Sequence, residues 1–336
     1  MIPYKNYRRE AEVALEAAAQ AARLCEAVRS DLAASTLEKN DRSPVTIADF
    51  GSQALVCRAV HEAFPDDAII AEEDALALRS GENQTLLARL TGYVRAIREG
   101  ANESLVFDWI DFGTSDSASG RFWTLDPIDG TKGFLRNDQY AVALALIEDG
   151  SIRVAVLGCP RLPRMGANGT GAVGTLMVAV AGEGAYETGI DGRGDLVPIR
   201  VSSVTEPRDL RFCESVESAH SSHSDAARIA DHLGIQAPPK RLDSQAKYGL
   251  VARGDAEIYL RMPKGGDYQE KIWDHAAGAL VVAEAGGRAS DLRGKPLDFT
   301  HGRTLARNYG ILVTNGTLHD ELLRAVAELD MAGAGQ

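Results

Sequence analysis

Arg121-Phe-Trp-Thr-Leu-Asp126-Pro-Ile-Asp129-Gly-Thr131 is the stretch from which the rest of the chain can be read. Residues 121–125 have the aromatic and β-branched content of a buried strand. The strand ends by delivering two carboxylates, Asp126 and Asp129, then turns at Gly130 into a hydroxyl. Pro127 has no N–H to give a neighbouring strand, so pairing is expected to stop there, with the carbonyls beyond it free to turn toward a cation. Hard cations such as Mg²⁺ take carboxylate, carbonyl and water oxygens, and substrate phosphates complete the shell. Asp-Gly by itself is an ordinary turn. The hexapeptide 126–131 becomes a metal candidate only if other carboxylates reach it.

Three other acidic element-ends are available. Glu72-Glu73-Asp74 follows a short apolar strand expected at 68–71. Asp274, after Trp273, opens a helix expected over 274–285, and Asp49 stands at the head of one expected over 48–64. Taken singly, a charge cluster after a strand reads as a solvated loop, and an Asp at a helix start as an N-cap. Spacing alone does not show that they meet. Among the bases, Lys247 and Arg261 stand out, although isolated Lys and Arg are mostly solvated surface. Arg261 ends the apolar strand 256–261, from which a guanidinium would reach a cleft and grip phosphate.

Other patterns lead nowhere. Gly169-Thr-Gly171-Ala-Val-Gly174 matches a dinucleotide fingerprint, but residues 175–180 read as a strand where a helix is required. His220-Ser-Ser-His223 lacks Cys or His partners at zinc spacing. No Ser or Cys sits in a nucleophile elbow.

The chain's 336 residues exceed one typical domain, and 45% hydrophobic with 25% charged residues suits a globular protein with a sizeable core. A net charge of −12 argues against a nucleic-acid polymer as partner, since phosphate backbones call for a basic face. A small phosphorylated substrate needs only local cations. Cys25, Cys57, Cys159 and Cys213 lie far apart without a Cys-x-x-Cys pair, and read as reduced thiols of a cytoplasmic protein. No stretch is suited to a secretory signal or to spanning a membrane, so the Asn-x-Ser/Thr matches read as chance. No obligate protein partner is evident.

The elements fall into two groups. Helices are expected over 4–33, 48–64 and 84–99, a loop over 100–120, and hairpins over 140–157 and 175–188. Beyond Pro198 strands near 199–203, 210–215, 240–243, 256–261, 288–291 and 310–314 alternate with helices near 222–234, 244–253, 274–285 and 317–329. This order predicts a mixed α+β and α/β chain with two lobes, residues 1–195 and 196–330.

The chain resembles the inositol monophosphatase superfamily of metal-dependent, lithium-sensitive phosphatases. Its two signature stretches stand here as Trp123-Thr-Leu-Asp-Pro-Ile-Asp-Gly-Thr-Lys-Gly-Phe134 and as Trp273-Asp-His-Ala-Ala-Gly278 with Glu284-Ala-Gly-Gly287. Within it the chain looks most like the 3′(2′),5′-bisphosphate nucleotidases, through residues 43–55, Ala71-Glu-Glu-Asp74, His220-Ser-Ser-His223, Leu242-Asp-Ser-Gln-Ala-Lys-Tyr248 and Tyr268-Gln-Glu-Lys-Ile-Trp-Asp-His275. The similarity runs from about residue 4 to residue 325 and is weakest over 75–120.

The resemblance implies a layered αβαβα sugar-phosphatase fold, with most metal ligands in the first lobe and the nucleotide-binding residues plus one metal ligand in the second. It implies that Glu72, Asp126, Asp129, Asp274 and the carbonyl of Ile128 hold two or three Mg²⁺ ions. Asp49 and Thr131 would orient and deprotonate the attacking water. His220, Ser244, Lys247 and Arg261 would bind a bisphosphorylated nucleoside, with Thr131 and Asp274 also touching it. The expected reaction removes the 3′-phosphate of adenosine 3′,5′-bisphosphate to give AMP and phosphate, and extends to the sulfated relative of that nucleotide. Two alternatives stay open: an inositol or sugar phosphate phosphatase differing only around 220–261, and a non-catalytic bisphosphate sensor, which would have no need of Asp49 and Thr131.

Overall fold

A computed structural model describes residues 2–34, 43–79, 83–165, 173–216, 223–263, 268–329 and 331. Helices α1 (Arg8–Ala34) and α2 (Ser43–Ala63) precede strand β1 (Ala68–Ala71), and α3 (Gln84–Ile97) and α4 (Glu103–Asp111) precede β2 (Arg121–Asp129). A short helix α5 (Thr131–Leu135) follows, then β3 (Ala141–Glu148), β4 (Ser151–Cys159), β5 (Thr175–Val180), β6 (Gly184–Gly189) and β7 (Val197–Pro198). The remainder is β8 (Phe212–Glu214), α6 (His223–Leu233), β9 (Lys240–Arg241), α7 (Ala246–Ala252), β10 (Ile258–Arg261), α8 (Ala276–Glu284), β11 (Arg288–Ser290), β12 (Ile311–Thr314) and α9 (His319–Glu328).

A 7-stranded sheet runs β1 to β7 in chain order, with β1 parallel to β2 and the other pairs antiparallel. A 5-stranded sheet has the order β11-β12-β10-β8-β9. Strand parity explains how they stack, because successive side chains point to opposite faces. Val142, Leu144, Val154, Val156 and Val178 pack under the alanine stripe of α1, including Ala11, Ala14 and Ala18. Their neighbours Ala143, Ala145, Ala155, Leu157 and Met177 pack on the opposite face against Tyr248 of α7 and Leu280 and Val281 of α8. The same cluster continues into Tyr259 and Val313 of the second sheet. The far face of that sheet, Phe212, Ile258, Leu260 and Leu312, is covered by Ile229 of α6 and Leu322 and Val326 of α9. The order is therefore helix, sheet, helix, sheet, helix, which is the expected αβαβα layering. Residues 276–282 of α8 are all buried, as a helix between two sheets requires. Gly278 permits this: a Cβ there would lie 2.3 Å from the Tyr248 ring.

Several boundaries differ from expectation. Part of the expected loop 100–120 is α4, capped by the Asn102 side chain, which accepts from the Leu105 N–H at 3.0 Å. Its sequence is rich in β-branched and aromatic residues, and burial of Val106, Trp109 and Ile110 on one face overrides that propensity. The strand expected at 199–203 is absent; β7 is confined to Val197–Pro198, and the ring of Pro198 removes a ladder donor. α2 begins five positions earlier than expected, at Ser43, with Pro44 inside its first turn, where a missing N–H costs nothing. α8 starts at Ala276 because Ile272–Asp274 form a 3₁₀ turn. β5 follows Gly174 as a strand, which removes the dinucleotide reading of 169–174.

Candidate active site

Strand β2 carries the centre of the site. Pairing does not stop at Pro127 as expected; it is interrupted and resumes, with Asp126 opposite Ala143 and Asp129 opposite Ala141. Positions 126 to 129 on β2 therefore oppose 143 to 141 on β3, a bulge of one extra residue holding Pro127 and Ile128. Residues three apart in a regular strand face opposite sides. The extra residue brings Asp129 back to the side of Asp126, and both line one cleft of about 340 Å³. The Ile128 N–H donates to Asp126 Oδ1 at 3.1 Å, and the Thr131 hydroxyl reaches the Ile128 carbonyl at 3.4 Å.

Glu72 arrives beside them because its N–H continues the parallel pairing, donating to the Leu125 carbonyl at 3.2 Å. Asp274 comes from the 3₁₀ turn before α8. It is not the N-cap, since His275 occupies that position and makes no side-chain cap bond. Asp49 is not a cap either: it sits inside α2, buried, with its neighbour in the helix, Ser52, donating to the Pro127 carbonyl at 2.9 Å. It stands behind the cleft wall, where burial, then Glu73 and Glu72, push its pKa well above the usual carboxylate value.

The facing wall comes from the segment around α7. Ser244 has a left-handed backbone, φ 73°, which costs a non-glycine residue about 1–2 kcal/mol. Gly130 lies against it: with φ 86°, a Cβ at Gly130 would sit 3.0 Å from the Ser244 Cβ. This close approach lets the Gln245 N–H donate to Asp129 Oδ2 at 2.6 Å. The Gln245 side chain donates to the Trp273 carbonyl at 2.8 Å and accepts from the Gly278 N–H at 3.1 Å, tying β2 to the turn that bears Asp274. Lys247 is 4% exposed rather than solvated, with Nζ 3.5 Å from the Leu242 carbonyl and 5.2 Å over the Tyr259 ring. Arg261 pairs with Glu270 at 2.7 Å and lies 3.4 Å from Asp274.

Glu72, Asp126, Ile128, Asp129, Thr131, Ser244, Lys247, Arg261 and Asp274 thus line one cleft. Asp49 does not line it but acts electrostatically on Asp126, and His220 lies outside the described residues. The cleft also includes Lys132, Ser215, Asp243 and Tyr268, to which no role is assigned by residue type or spacing. Gln245 and Glu270, which organise it, stand inside the stretches 242–248 and 268–275, so the signal was position within a recognised motif rather than chemistry.

The carboxylates repel one another. Burial first, then Asp274 and Glu73, raise the Glu72 pKa to about 7, although the residue as a whole is solvent-exposed. Burial and Asp274 raise Asp129 to about 6 against the downward pull of Lys247, and Asp126 is pushed well above its ordinary value by burial and Glu72. Hard oxygen donors that disfavour their own ionisation in one another's company suit a divalent cation of the Mg²⁺ type.

A sequence model of the inositol monophosphatase family matches residues 6–331. A 3′(2′),5′-bisphosphate nucleotidase of Emericella nidulans is 43% identical, over 96% of this chain and 99% of the relative. 3′(2′),5′-Bisphosphate nucleotidase 1 of Arabidopsis thaliana is 46% identical over 96% of each chain, and a 3′(2′),5′-bisphosphate nucleotidase of Schizosaccharomyces pombe is 42% identical over 96% of each. Among solved structures, an inositol monophosphatase from Anabaena superposes with a TM-score of 0.62 at 22% identity, covering 96% of this chain and 97% of its own. One from Thermotoga maritima gives 0.63 at 19%, covering 97% and 100%. These two likenesses establish the fold.

Proposed function

Because the chain belongs to the inositol monophosphatase family, whose members are metal-dependent phosphatases, we propose that it is a 3′(2′),5′-bisphosphate nucleotidase acting with a divalent metal. Relatives bearing that name match it at 42–46% identity over nearly their whole lengths. In the finer reading the metal is Mg²⁺, two or three ions, and the substrate is adenosine 3′,5′-bisphosphate, cleaved to AMP and phosphate. The observation that carries this reading is the juxtaposition of carboxylates with two cations, the buried Lys247 and the half-buried Arg261, in a single cleft.

Glu72, Asp126, Asp129, Asp274 and the Ile128 carbonyl would hold the metal. When bound, it polarises the phosphoryl group, acidifies the attacking water and stabilises the departing ribose oxygen. Thr131 orients that water and passes a proton toward Asp49, whose raised pKa makes it a stronger base than an ordinary carboxylate. Water adds to phosphorus, the bond to the 3′ oxygen breaks, and that oxygen takes up a proton from solvent while Asp49 releases the one it accepted, leaving a 3′ hydroxyl and phosphate. Ser244, Lys247, Arg261 and His220 hold the nucleoside and its second phosphate. Binding energy from that remote group improves positioning of the reacting one. The absence of any helix long and apolar enough to cross a membrane among the described residues, and four buried free cysteines, support a cytoplasmic placement.

The test is phosphate release with Mg²⁺ from adenosine 3′,5′-bisphosphate, inositol phosphates and fructose 1,6-bisphosphate, with and without lithium. Preferred, lithium-inhibited turnover of the nucleotide is expected. Preference for inositol phosphates overturns the substrate, and no turnover of any substrate overturns the enzyme reading.

A further inference from the structure

Behind the cleft, a line of polar side chains leads to Arg261, and three of its members have no part in the chemistry above. The Tyr248 hydroxyl meets His275 Nδ1 at 2.7 Å, and His275 Nε2 meets Glu270 Oε2 at 3.2 Å. Glu270 takes the guanidinium side-on, through Nε–Oε1 at 2.9 Å and Nη2–Oε2 at 2.7 Å. Tyr248, Glu270 and His275 are all buried. An ionised Glu270 only accepts, so His275 carries its proton on Nε2, and its Nδ1 accepts from Tyr248. The Leu305 N–H pins the Glu270 carbonyl at 2.8 Å. The same Arg261 Nη2 lies 3.4 Å from Asp274 Oδ2 and 3.3 Å from the Tyr268 hydroxyl. Arg261 therefore stands between two carboxylates, bound to one by two short bonds and to the other by one long contact. Donor atoms of Glu270, Asp274 and His275 lie within 4.8 Å of one another, a spacing that suits a cation, and the guanidinium already serves as that cation for the two carboxylates.

We propose that Glu270 is a positioning residue that keeps Arg261 off Asp274, so that the guanidinium faces substrate phosphate while the Asp274 carboxylate remains available to the metal. This inference rests on the proposed role of Asp274 as a ligand. Its physical basis is competition: a guanidinium left only 14% exposed calls for a partner, and the side-on, two-bond pair with Glu270 outweighs the single contact with Asp274. Without Glu270, the nearest remaining carboxylate to Arg261 among the described residues is Asp274. An ion pair there would draw on the lone pairs that a divalent cation uses. Tyr248 and His275 serve by fixing the rotation of the Glu270 carboxylate.

The test is Mn²⁺ binding to the whole protein, followed by electron paramagnetic resonance without substrate. Glu270→Gln keeps the shape of the side chain but sets an amide donor against donors on Arg261 or His275. Its Mn²⁺ affinity should fall about tenfold, the scale of losing a residue that orients a ligand. In the double variant Glu270→Gln/Arg261→Gln the competing cation is gone, and affinity should return to within about twofold of the parent. A Glu270→Gln protein that binds Mn²⁺ as the parent does, or a double variant as weak as the single one, overturns the proposal. A merely structural role for Glu270 would lower the melting temperature of both variants without the recovery. Arg261→Gln alone should not weaken Mn²⁺ binding, and a tenfold loss there overturns the proposal even if Glu270→Gln fails to fold. Asp274→Asn separates the premise from the inference. Unchanged affinity in that variant overturns both, whereas a loss there with normal binding in Glu270→Gln overturns only the role given to Glu270.

Discussion

Lys247 is a cation held almost out of water, and burial draws its pKa below the ordinary lysine value against the upward pull of Asp129. A buried ammonium beside carboxylates is a costly arrangement that an incoming phosphate would relieve. Lys247→Met should therefore raise KM for adenosine 3′,5′-bisphosphate about 10- to 100-fold, the worth of one hydrogen bond to a charged group, with a smaller effect on a monophosphate lacking the second group. Steady-state kinetics on the two substrates measures this, and equal losses on both would remove Lys247 from the second-phosphate site. Asp129→Asn should lower turnover by at least about 100-fold while leaving the circular dichroism spectrum unchanged. At this scale the sequence names the right residue types but not their surroundings. From neighbours in the chain Asp49 reads as an N-cap and Lys247 as solvated surface, and only contacts made across the fold bury them.

Among elements, the bulge in β2 and the cap of α4 illustrate opposite degrees of legibility. Pro127 announces a break in the ladder, yet a single strand does not disclose that its partner resumes pairing at Ala141. For α4, Asn102 three positions before Leu105 is a cap signal, hidden among residues that favour strands. Asn102→Ala should cost about 1 kcal/mol of stability and leave catalysis unchanged, since α4 contributes no residue to the cleft and its Asp111 end lines a separate pocket. Urea denaturation and a turnover assay on the same preparation check both halves of that statement. Gly130→Ala should lose on both counts. Its φ of 86° penalises any Cβ, and the added methyl would press on Ser244, which also bounds the substrate side of the cleft.

For the whole molecule, the hairpins and the alternation after Pro198 were readable from periodicity, whereas the layering came from resemblance. Parity within a strand tells which residues share a face, not which helix covers that face. The site joins the two sheets, with Asp126 and Asp129 on β2 and Asp274 beside the second sheet, so cation binding should affect the entire fold. Glu72 and Asp129, at about 7 and about 6 without a cation, hold protons more tightly when folded than when unfolded. The stability they contribute is present at low pH and is lost as pH rises through those values. The melting temperature in chelator should fall between about pH 5 and 8, and the increase produced by Mg²⁺ should grow over the same interval as fewer protons must be displaced. Thermal denaturation at both pH values, with and without Mg²⁺, decides this.

The extra residue in β2 also sets a limit on genetic dissection. What Ile128 offers the cleft is a peptide oxygen, and every amino acid supplies the same one. Its side chain, 1% exposed, belongs to the hydrophobic core. A mutational scan would therefore score position 128 for packing alone and overlook the oxygen proposed to hold the cation. Shortening the chain by one residue at 127–128 would leave both aspartates on the same side of a more regular ladder, but with one oxygen fewer. An amide-to-ester replacement at the peptide that follows Ile128 would weaken that oxygen as a donor without altering any side chain.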